Sequence, residues 1–433
     1  MKQHKKRGLD MKYGLIGEHL NHSFSKEIHE RLASYTYDLI PLNQEEFKNF
    51  MIQKDFCAIN VTIPYKKSVI PYLDEMDKHA LEIGAVNTIV NTNGILKGFN
   101  TDFTGFLYTL QKHNICVAQK KVLVLGNGGA SAAIQAVLKA EQANQIIIVN
   151  RTQKDGAITY EEVFERHLDA QFIINTSPIG MFPNNENAPI DLSMFKQCES
   201  VVDIIYNPLK TALCVQAEML KIKHVNGLEM LIGQAKQAVE YFLNEKLDDS
   251  LINDIYLDML KKRCNLILIG MPSAGKTSIG RQLGKHLHKD FIDLDEAIIK
   301  KAGMKIPQIF ETLGEEGFRK LEYDVTKEVA KLNNKVIASG GGIVKNQQNI
   351  TNLKQNGNIY FIDRDMSKLI NDDPNRPLSS SQEALHIMYK ERYPLYKACA
   401  DFIIPNNEDM ESAIDKIITD YMTSLNKNES GGK

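Results

Sequence analysis

Two glycine loops, each set between an apolar strand and a helix, constrain this chain more than any other feature. "KKVLVLG" runs into "GNGGAS" (126–131) and then the alanine-rich "ASAAIQAVLKAE". "NLILIG" runs into "GMPSAGKT" (270–277) and then "SIGRQLGKHL". A strand buried on both faces that feeds a helix requires a parallel sheet with helices packed on it. The two units lie far apart along the chain, and 433 residues suit two or three domains. The fold class expected is therefore α/β. Strand and helix patterns alternate elsewhere too: "KYGLIG", a helix from about Ser25, "FCAINVTIP", a helical pattern over Ser68–Ile83, "NQIIIVN", "FIINTSP", "VVDIIY" and the helix "LEMLIGQAKQAVEYFL". A mixed-charge amphipathic segment, 246–264, precedes the second α/β pattern, with the junction near 258–264 and no Gly/Ser-rich or Pro-rich linker.

Composition narrows the function classes. Apolar residues are 43%, charged residues 24% and the net charge −2, so a buried core is expected and no broad basic surface for nucleic acid. The cysteines 57, 116, 198, 214, 264 and 399 form no CxxC pair. They read as small buried hydrophobes of a reducing compartment. The basic start lacks an apolar stretch of signal-peptide kind, and the apolar runs are strand-length. A cytoplasmic protein without membrane attachment is expected, with a disordered leader at 1–11 and a disordered tail at 426–433.

The first loop has the spelling of a dinucleotide site. Gly126 permits a tight turn, and Gly128 and Gly129 let backbone approach a pyrophosphate facing the helix N-terminus. The next strand ends in "NRTQK". An acidic residue there would hold a ribose 2′-hydroxyl; Arg151, Thr152 and Lys154 instead offer donors and positive charge, which favours a 2′-phosphate and hence NADP.

The second loop satisfies GxxxxGK[ST] in the strand–loop–helix context that the motif needs. Backbone N–H groups from Ser273 through Ala274 and Gly275 to Thr277, with Ser278 following, would cradle the phosphates of ATP. Lys276 would reach the β- and γ-phosphates, and the Thr277 hydroxyl would bind Mg²⁺. In "FIDLDEAI", Asp293 and Asp295 lie two apart at a strand end. They read either as a helix N-cap with a spare charge or as a metal shell and acceptor site. Arg319 and Glu322 stand three apart on one helical face. Gly340, Gly341 and Gly342 would let a ligand touch bare backbone.

The polar clusters "HSFS", "NVTIPYK", "GAVNTIV" and "NTD", taken with "GNGGA", "NRT", "INTSPIGM", "IYNP" and "NGLEMLIGQA" in that order, resemble the shikimate dehydrogenase family over about 12–256. The resemblance implies a substrate domain at 12–110 plus 228–256 with an NADP-binding Rossmann domain, 111–227, inserted. It implies a catalytic pair, Lys66 and Asp102. A ketone reduced to an alcohol needs a proton donor within reach, and a carboxylate can orient the lysine. Ser23 and Ser25 would bind the substrate carboxylate; Thr62, Asn87, Tyr206 and Gln234 would bind ring hydroxyls. Gly126, Asn127, Gly128, Gly129, Ala130, Asn150, Arg151, Thr152 and Lys154 would hold the cofactor, with Gly227 near its nicotinamide. Glu18 and Lys26 replace prolines usual in the first motif, and Asn127 replaces a common alanine.

The order of motifs after 264 resembles the shikimate kinase family over about 264–420, within a P-loop domain expected at 264–425 behind a junction at 257–263. That resemblance implies that Asp295 binds and activates the acceptor hydroxyl, with Asp293 near Mg²⁺. Arg319 and Arg392 would hold the substrate carboxylate, Gly341 would contact the ring, and Arg376, in a mobile lid, would cover the ATP phosphates. Arginine suits these tasks because its planar fork matches carboxylate and phosphate oxygens two at a time. Together the halves imply NADPH-dependent reduction of 3-dehydroshikimate followed by phosphorylation of shikimate. Alternatives are a catalytically inactive metabolite sensor, and an NAD-using quinate/shikimate dehydrogenase joined to a kinase. The sequence leaves monomer and homodimer both open.

Overall fold

The computed structural model describes residues 13–20, 23–154, 156–369 and 382–427. The expected leader 1–11, the last residues of the tail and Arg376 lie outside these. The described chain forms three sheets and separates into two compact units. The first unit comprises Met1–Pro178, Pro189–Tyr206 and Ala217–Tyr256; the second comprises Ile179–Ala188, Asn207–Gln216 and Leu257–Lys433.

The first unit opens with β1 (Tyr13–Gly17), β2 (Tyr37–Pro41), β3 (Ala58–Val61), β4 (Glu75–Met76), β5 (Thr88–Thr92) and β6 (Ile95–Phe99). These form a six-stranded sheet in the order β2-β1-β3-β5-β6-β4. It is mixed rather than wholly parallel, because β3–β5 and β5–β6 run antiparallel. The cause is local: Asn93 and Gly94 both take positive φ, +55° and +91°, the backbone of a two-residue hairpin turn. The helical pattern over Ser68–Ile83 is also broken. Pro71 sits in a single 3₁₀ turn, Ile70–Tyr72, and the chain then forms β4 before Asp77 caps the short helix Lys78–Ile83. Proline withholds the N–H that a continuing helix would use. Ile16, Phe47, Met51, Ile59, Val61 and Ile89 pack the core on this sheet.

A second, all-parallel sheet follows within the same unit: β7 (Lys121–Leu125), β8 (Gln145–Val149), β9 (Phe172–Asn175), β10 (Ser200–Asp203) and β11 (Lys223–Val225), ordered β11-β10-β9-β7-β8. Val122, Val124, Ile134 and Val137 form its core together with Phe103, Phe106 and Leu110. Those last three belong to the helix Thr101–Lys112, which leaves β6 and packs along the helix Leu228–Leu243. The two helices approach closely at Gly105, where a Cβ would lie 2.6 Å from the Met230 carbonyl oxygen.

The second unit holds β12 (Asn265–Ile269), β13 (Asp290–Asp293), β14 (Lys335–Ala338), β15 (Gly357–Asp363) and β16 (Phe402–Pro405). All are parallel, in the order β13-β14-β12-β15-β16. β12 is central and buried at every residue. A five-residue run with no exposed face is what helices on both sides of a sheet demand. The 246–264 segment forms the helix Ser250–Arg263, which leads into β12.

Candidate active sites

The first site lies where the two sheets of the first unit meet. β3 ends just before Thr62, and the turn that follows carries Lys66. The helix Thr101–Lys112 is capped by Asn100, whose side chain accepts from the Asp102 N–H. This places Asp102 in the first turn, where its charge suits the helix dipole. Lys66 Nζ donates to Asp102 Oδ2 at 2.6 Å, and Asn87 Nδ2 donates to Asp102 Oδ1 at 2.9 Å. The Lys66 and Asp102 side chains are only 16% and 10% exposed, so the pair works in a partly desolvated setting where charge interactions are stronger. A buried network fixes Asn87. Its Oδ1 accepts from the Thr101 N–H at 2.8 Å, and its carbonyl oxygen accepts from Asn60, which in turn accepts from the Tyr37 hydroxyl. Thr101 Oγ1 donates to Gln234 Oε1 at 3.1 Å, bringing Gln234 to the same corner.

The other expected substrate residues have separate surroundings. Ser23 Oγ donates to Ser25 Oγ at 3.0 Å, which joins these two hydroxyls. Phe24, between them, packs on the Tyr206 ring at 5.0 Å, so Tyr206 is drawn toward the serine pair. Burial holds the Tyr206 hydroxyl above its ordinary pKa, which keeps it a neutral donor. Thr62 packs against β1: a Cβ on Gly17 would meet its methyl at 2.5 Å.

The glycine loop is adjacent. Gly126 takes φ +110°, and a Cβ there would lie 2.9 Å from the Ser177 nitrogen. The helix Gly129–Ala140 starts behind Gly128 with no side-chain cap, leaving its first N–H groups for an anion. A Cβ on Gly129 would lie 3.6 Å from Lys66 Cδ; the loop and the lysine therefore face one space. Arg151, Thr152 and Lys154 are exposed at the end of β8, with Asn150 half-buried before them. Gly227 admits no side chain, since a Cβ would lie 1.9 Å from the Ile204 carbonyl oxygen. Asn127 and Ala130 complete the loop and the first helical turn. An uncapped helix start, bare glycine backbone and an exposed basic strand end fit a dinucleotide with a 2′-phosphate.

The second site is a cleft of about 800 Å³ above the C-terminal ends of β12, β13 and β14. Ser273, Gly275, Lys276, Thr277, Ser278, Asp293, Asp295, Arg319, Gly341 and Arg392 all line it. Gly275 takes φ +94° and Ser273 φ +61°. Gly275 starts the helix Lys276–Leu287 with no side-chain cap. Lys276 Nζ donates to the carbonyls of Gly270 and Met271 at 2.9 and 2.8 Å, folded over its own loop. Thr277 Oγ1 donates to Asp293 Oδ2 at 2.8 Å. The other Asp293 oxygen accepts from the N–H groups of Asp295 and Glu296. Asp293 is thus both an N-cap and a partner of the loop threonine. A hydroxyl and a carboxylate are hard oxygen donors. They fit Mg²⁺, which takes one or two protein ligands and fills its shell with phosphate and water. Among the described residues no cluster of three or more His, Cys, Asp or Glu could hold a metal without such help.

Asp295 and the arginines converge on the other side of the cleft. A Cβ on Gly340 would lie 2.7 Å from Asp295 Oδ1, and one on Gly342 would lie 2.3 Å from an Arg319 nitrogen. This glycine run lets both side chains reach the cleft floor. Arg319 donates to Glu322 at 2.9 Å and pairs with Glu315 at 3.2 Å. Burial raises the Glu322 pKa, Arg319 opposes that, and the Asp295 charge adds to it. Arg392 is buried, 5% exposed, with its Nε unpartnered. A desolvated guanidinium aimed at a cavity calls for an anion. Asn406 and Tyr396 carry no motif and were not expected. Asn406 Nδ2 donates to the Ala274 carbonyl at 2.8 Å, and the Tyr396 hydroxyl donates to the Gly341 carbonyl. Both arrive from beyond Arg376, and only the fold brings them to the loops.

Comparison with known proteins places each part of the chain beside a family. The family model for the shikimate dehydrogenase substrate binding domain matches residues 15–89, and that for shikimate kinase matches 272–422. The NADP(+) shikimate dehydrogenase of Clostridium beijerinckii is 36% identical over 261 residues, which are 56% of this chain and 96% of that protein. That of Methanosphaera stadtmanae is 37% identical over 256 residues, 53% of this chain and 90% of the relative. Among solved structures, a chorismate mutase/shikimate 5-dehydrogenase fusion protein from Clostridium acetobutylicum superposes with TM-score 0.54 at 34% identity, covering 57% of this chain and 97% of that one. The shikimate 5-dehydrogenase of Thermus thermophilus in complex with NADP(H) and shikimate gives 0.52 at 26% identity, covering 57% and 98%.

Proposed function

The chain belongs to the shikimate dehydrogenase family and carries a shikimate kinase domain behind that part; from this premise we propose that it catalyses two consecutive steps on one cyclic acid. The first is NADPH-dependent reduction of 3-dehydroshikimate to shikimate, and the second is ATP-dependent phosphorylation of the new hydroxyl to shikimate 3-phosphate. The observation that carries the first step is the Lys66–Asp102 contact at 2.6 Å beside Gly129. NADPH, when bound, supplies the hydride. Lys66 Nζ stands ready to give a proton to the carbonyl oxygen, and Asp102, held by Asn87, orients the ammonium and balances its charge. Ser23 and Ser25 bind the substrate carboxylate, while Thr62, Asn87, Tyr206 and Gln234 bind ring oxygens. Arg151, Thr152 and Lys154 receive the 2′-phosphate.

In the kinase step, Asp295 accepts the proton of the attacking hydroxyl, and Arg319 and Arg392 hold the carboxylate with Gly341 against the ring. Lys276 turns from its loop carbonyls to the β- and γ-phosphates of ATP. Thr277 and Asp293 would hold Mg²⁺, which when bound neutralises phosphate charge. Arg376 is assigned to the ATP phosphates on the strength of the resemblance alone. We place the protein in the cytoplasm, acting on small molecules rather than nucleic acid. No helix among the described residues is long and apolar enough to cross a membrane. Each step is tested separately: NADPH oxidation on adding 3-dehydroshikimate, compared with NADH, and ADP release on adding shikimate with MgATP. Equal rates with NADH would overturn the NADP assignment, and no ADP release would remove the kinase step.

A further inference from the structure

We propose that Glu229, which is buried, and its half-buried partner His113, with no role in either step, are positioning residues that hold the nicotinamide end of the first site in register with Lys66 and Asp102. The inference rests on the reductase reading above. Glu229 stands in the first turn of the helix Leu228–Leu243, two residues after Gly227, with its side chain only 2% exposed. A carboxylate so buried is stable only with a partner. That partner is His113, whose Nε2 contacts Glu229 Oε2. His113 is the C-cap of the helix Thr101–Lys112, whose first turn carries Asp102. Lys223, on β11, donates to the His113 carbonyl oxygen. One histidine thus ties together the end of the Asp102 helix, a strand of the nucleotide-binding sheet and the start of the Gly227 helix.

A second tie joins Thr101, at the other end of the Asp102 helix, to Gln234, five residues beyond Glu229 on the Gly227 helix, at 3.1 Å. Between the two ties the backbones touch at Gly105 and Met230. Neither helix can slide along the other without breaking a polar tie. Gly227 itself has no slack, since it is pressed on the Ile204 carbonyl. A shift of the Glu229 turn is therefore transmitted to Gly227, and hydride transfer is sensitive to displacements of about 1 Å. Tyr108 also feels Glu229: burial first, then the charges of Glu229 and Asp249, push its hydroxyl up to about 12.

The full-length chain is compared with His113→Ala, His113→Gln, Glu229→Gln and the double variant His113→Ala/Glu229→Gln. Reductase and kinase kinetics are read together with amide hydrogen exchange at residues 101–105 and 226–230. Expected for His113→Ala are faster exchange at both segments, a KM for NADPH raised about tenfold and an unchanged kinase. His113→Gln and Glu229→Gln keep a hydrogen bond and stay within about threefold of the parent. The double variant recovers part of the loss, because no unpaired carboxylate remains buried. A lower thermal midpoint for His113→Ala with unchanged exchange and kinetics would overturn the inference, as would a double variant no better than the single. Absence of parental turnover with 3-dehydroshikimate would sink the reductase reading instead, and the exchange data would still decide the positioning role.

Discussion

Replacing Lys66 by alanine separates what the Lys66–Asp102 pair does for chemistry from what it does for stability. The lysine supplies the proton in the proposed reduction, and loss of a positioned acid costs about 10²–10⁴-fold in rate. Taking the middle of that range, about 10³-fold corresponds to about 4 kcal/mol of barrier. The stability effect has a different origin. Asp102 is 10% exposed and contacts Lys66 at 2.6 Å. Removing one partner of a buried pair leaves the other uncompensated, at about 3–5 kcal/mol. Asn87 still donates to Asp102 at 2.9 Å and the site opens to water, so the lower end of that range, about 3 kcal/mol, is expected. The assay is NADPH oxidation at saturating 3-dehydroshikimate, with urea unfolding and shikimate phosphorylation measured on the same preparation. The single variant loses about 10³-fold in turnover and unfolds earlier, with the kinase unchanged. The double variant Lys66→Ala/Asp102→Asn regains most of the stability and none of the turnover. Turnover within tenfold of the parent in well-folded Lys66→Ala would refute the reasoning, and so would a parallel fall in kinase activity.

Three further outcomes follow from particular geometries. Ser273 sits at φ +61°, a backbone that glycine adopts without penalty, so Ser273→Gly should stabilise the kinase unit by about 1 kcal/mol with little change in its KM for ATP; a lower thermal midpoint contradicts this. Burial, with Lys261 adding to it, lowers Lys289 from 10.5 to about 8. Between those values the unfolded chain binds more protons than the folded one, so stability rises with pH from about 8 to 10.5, by at most about 3 kcal/mol, and is flat below that window. The difference between the parent and Lys289→Met across pH 7–11 isolates this slope from the titrating tyrosines and cysteines; a falling difference reverses the sign. Thr277→Val removes the hydroxyl that contacts Asp293 at 2.8 Å and should cut phosphorylation about 10²-fold or more while NADPH oxidation is unaffected; a kinase still at full rate in low Mg²⁺ would contradict that role.

The two loops were legible because each needs glycine and lysine or small residues at set spacings beside a strand that is apolar throughout. The same holds for Lys66, Asp102, Asp295 and Arg319, which stand within motifs. Elements shaped by a single residue were less legible. Asn93-Gly94 makes the first sheet mixed, and Pro71 cuts the Ser68–Ile83 pattern, which has helical period but lacks an N–H where the helix needs one. Contacts made only by folding left no local trace at all. His113 and Glu229 are 116 positions apart; Glu229 stands inside the motif stretch "NGLEMLIGQA", but nothing there or beside His113 marks the two as partners. Asn406 likewise reaches Ala274 across 132 positions, from a turn whose own sequence suggests only a loop.

The central claim is that the carbon that accepts hydride at Lys66 and Asp102 bears the oxygen that is phosphorylated at Asp295. Purified chain supplied with 3-dehydroshikimate, MgATP and NADPH carrying transferable deuterium tests this in one product spectrum. Deuterium on the phosphorus-coupled ring carbon, in one-to-one ratio with phosphate, is the predicted result. Deuterium on a carbon without phosphorus coupling, or reduced product that never acquires phosphate, would contradict it.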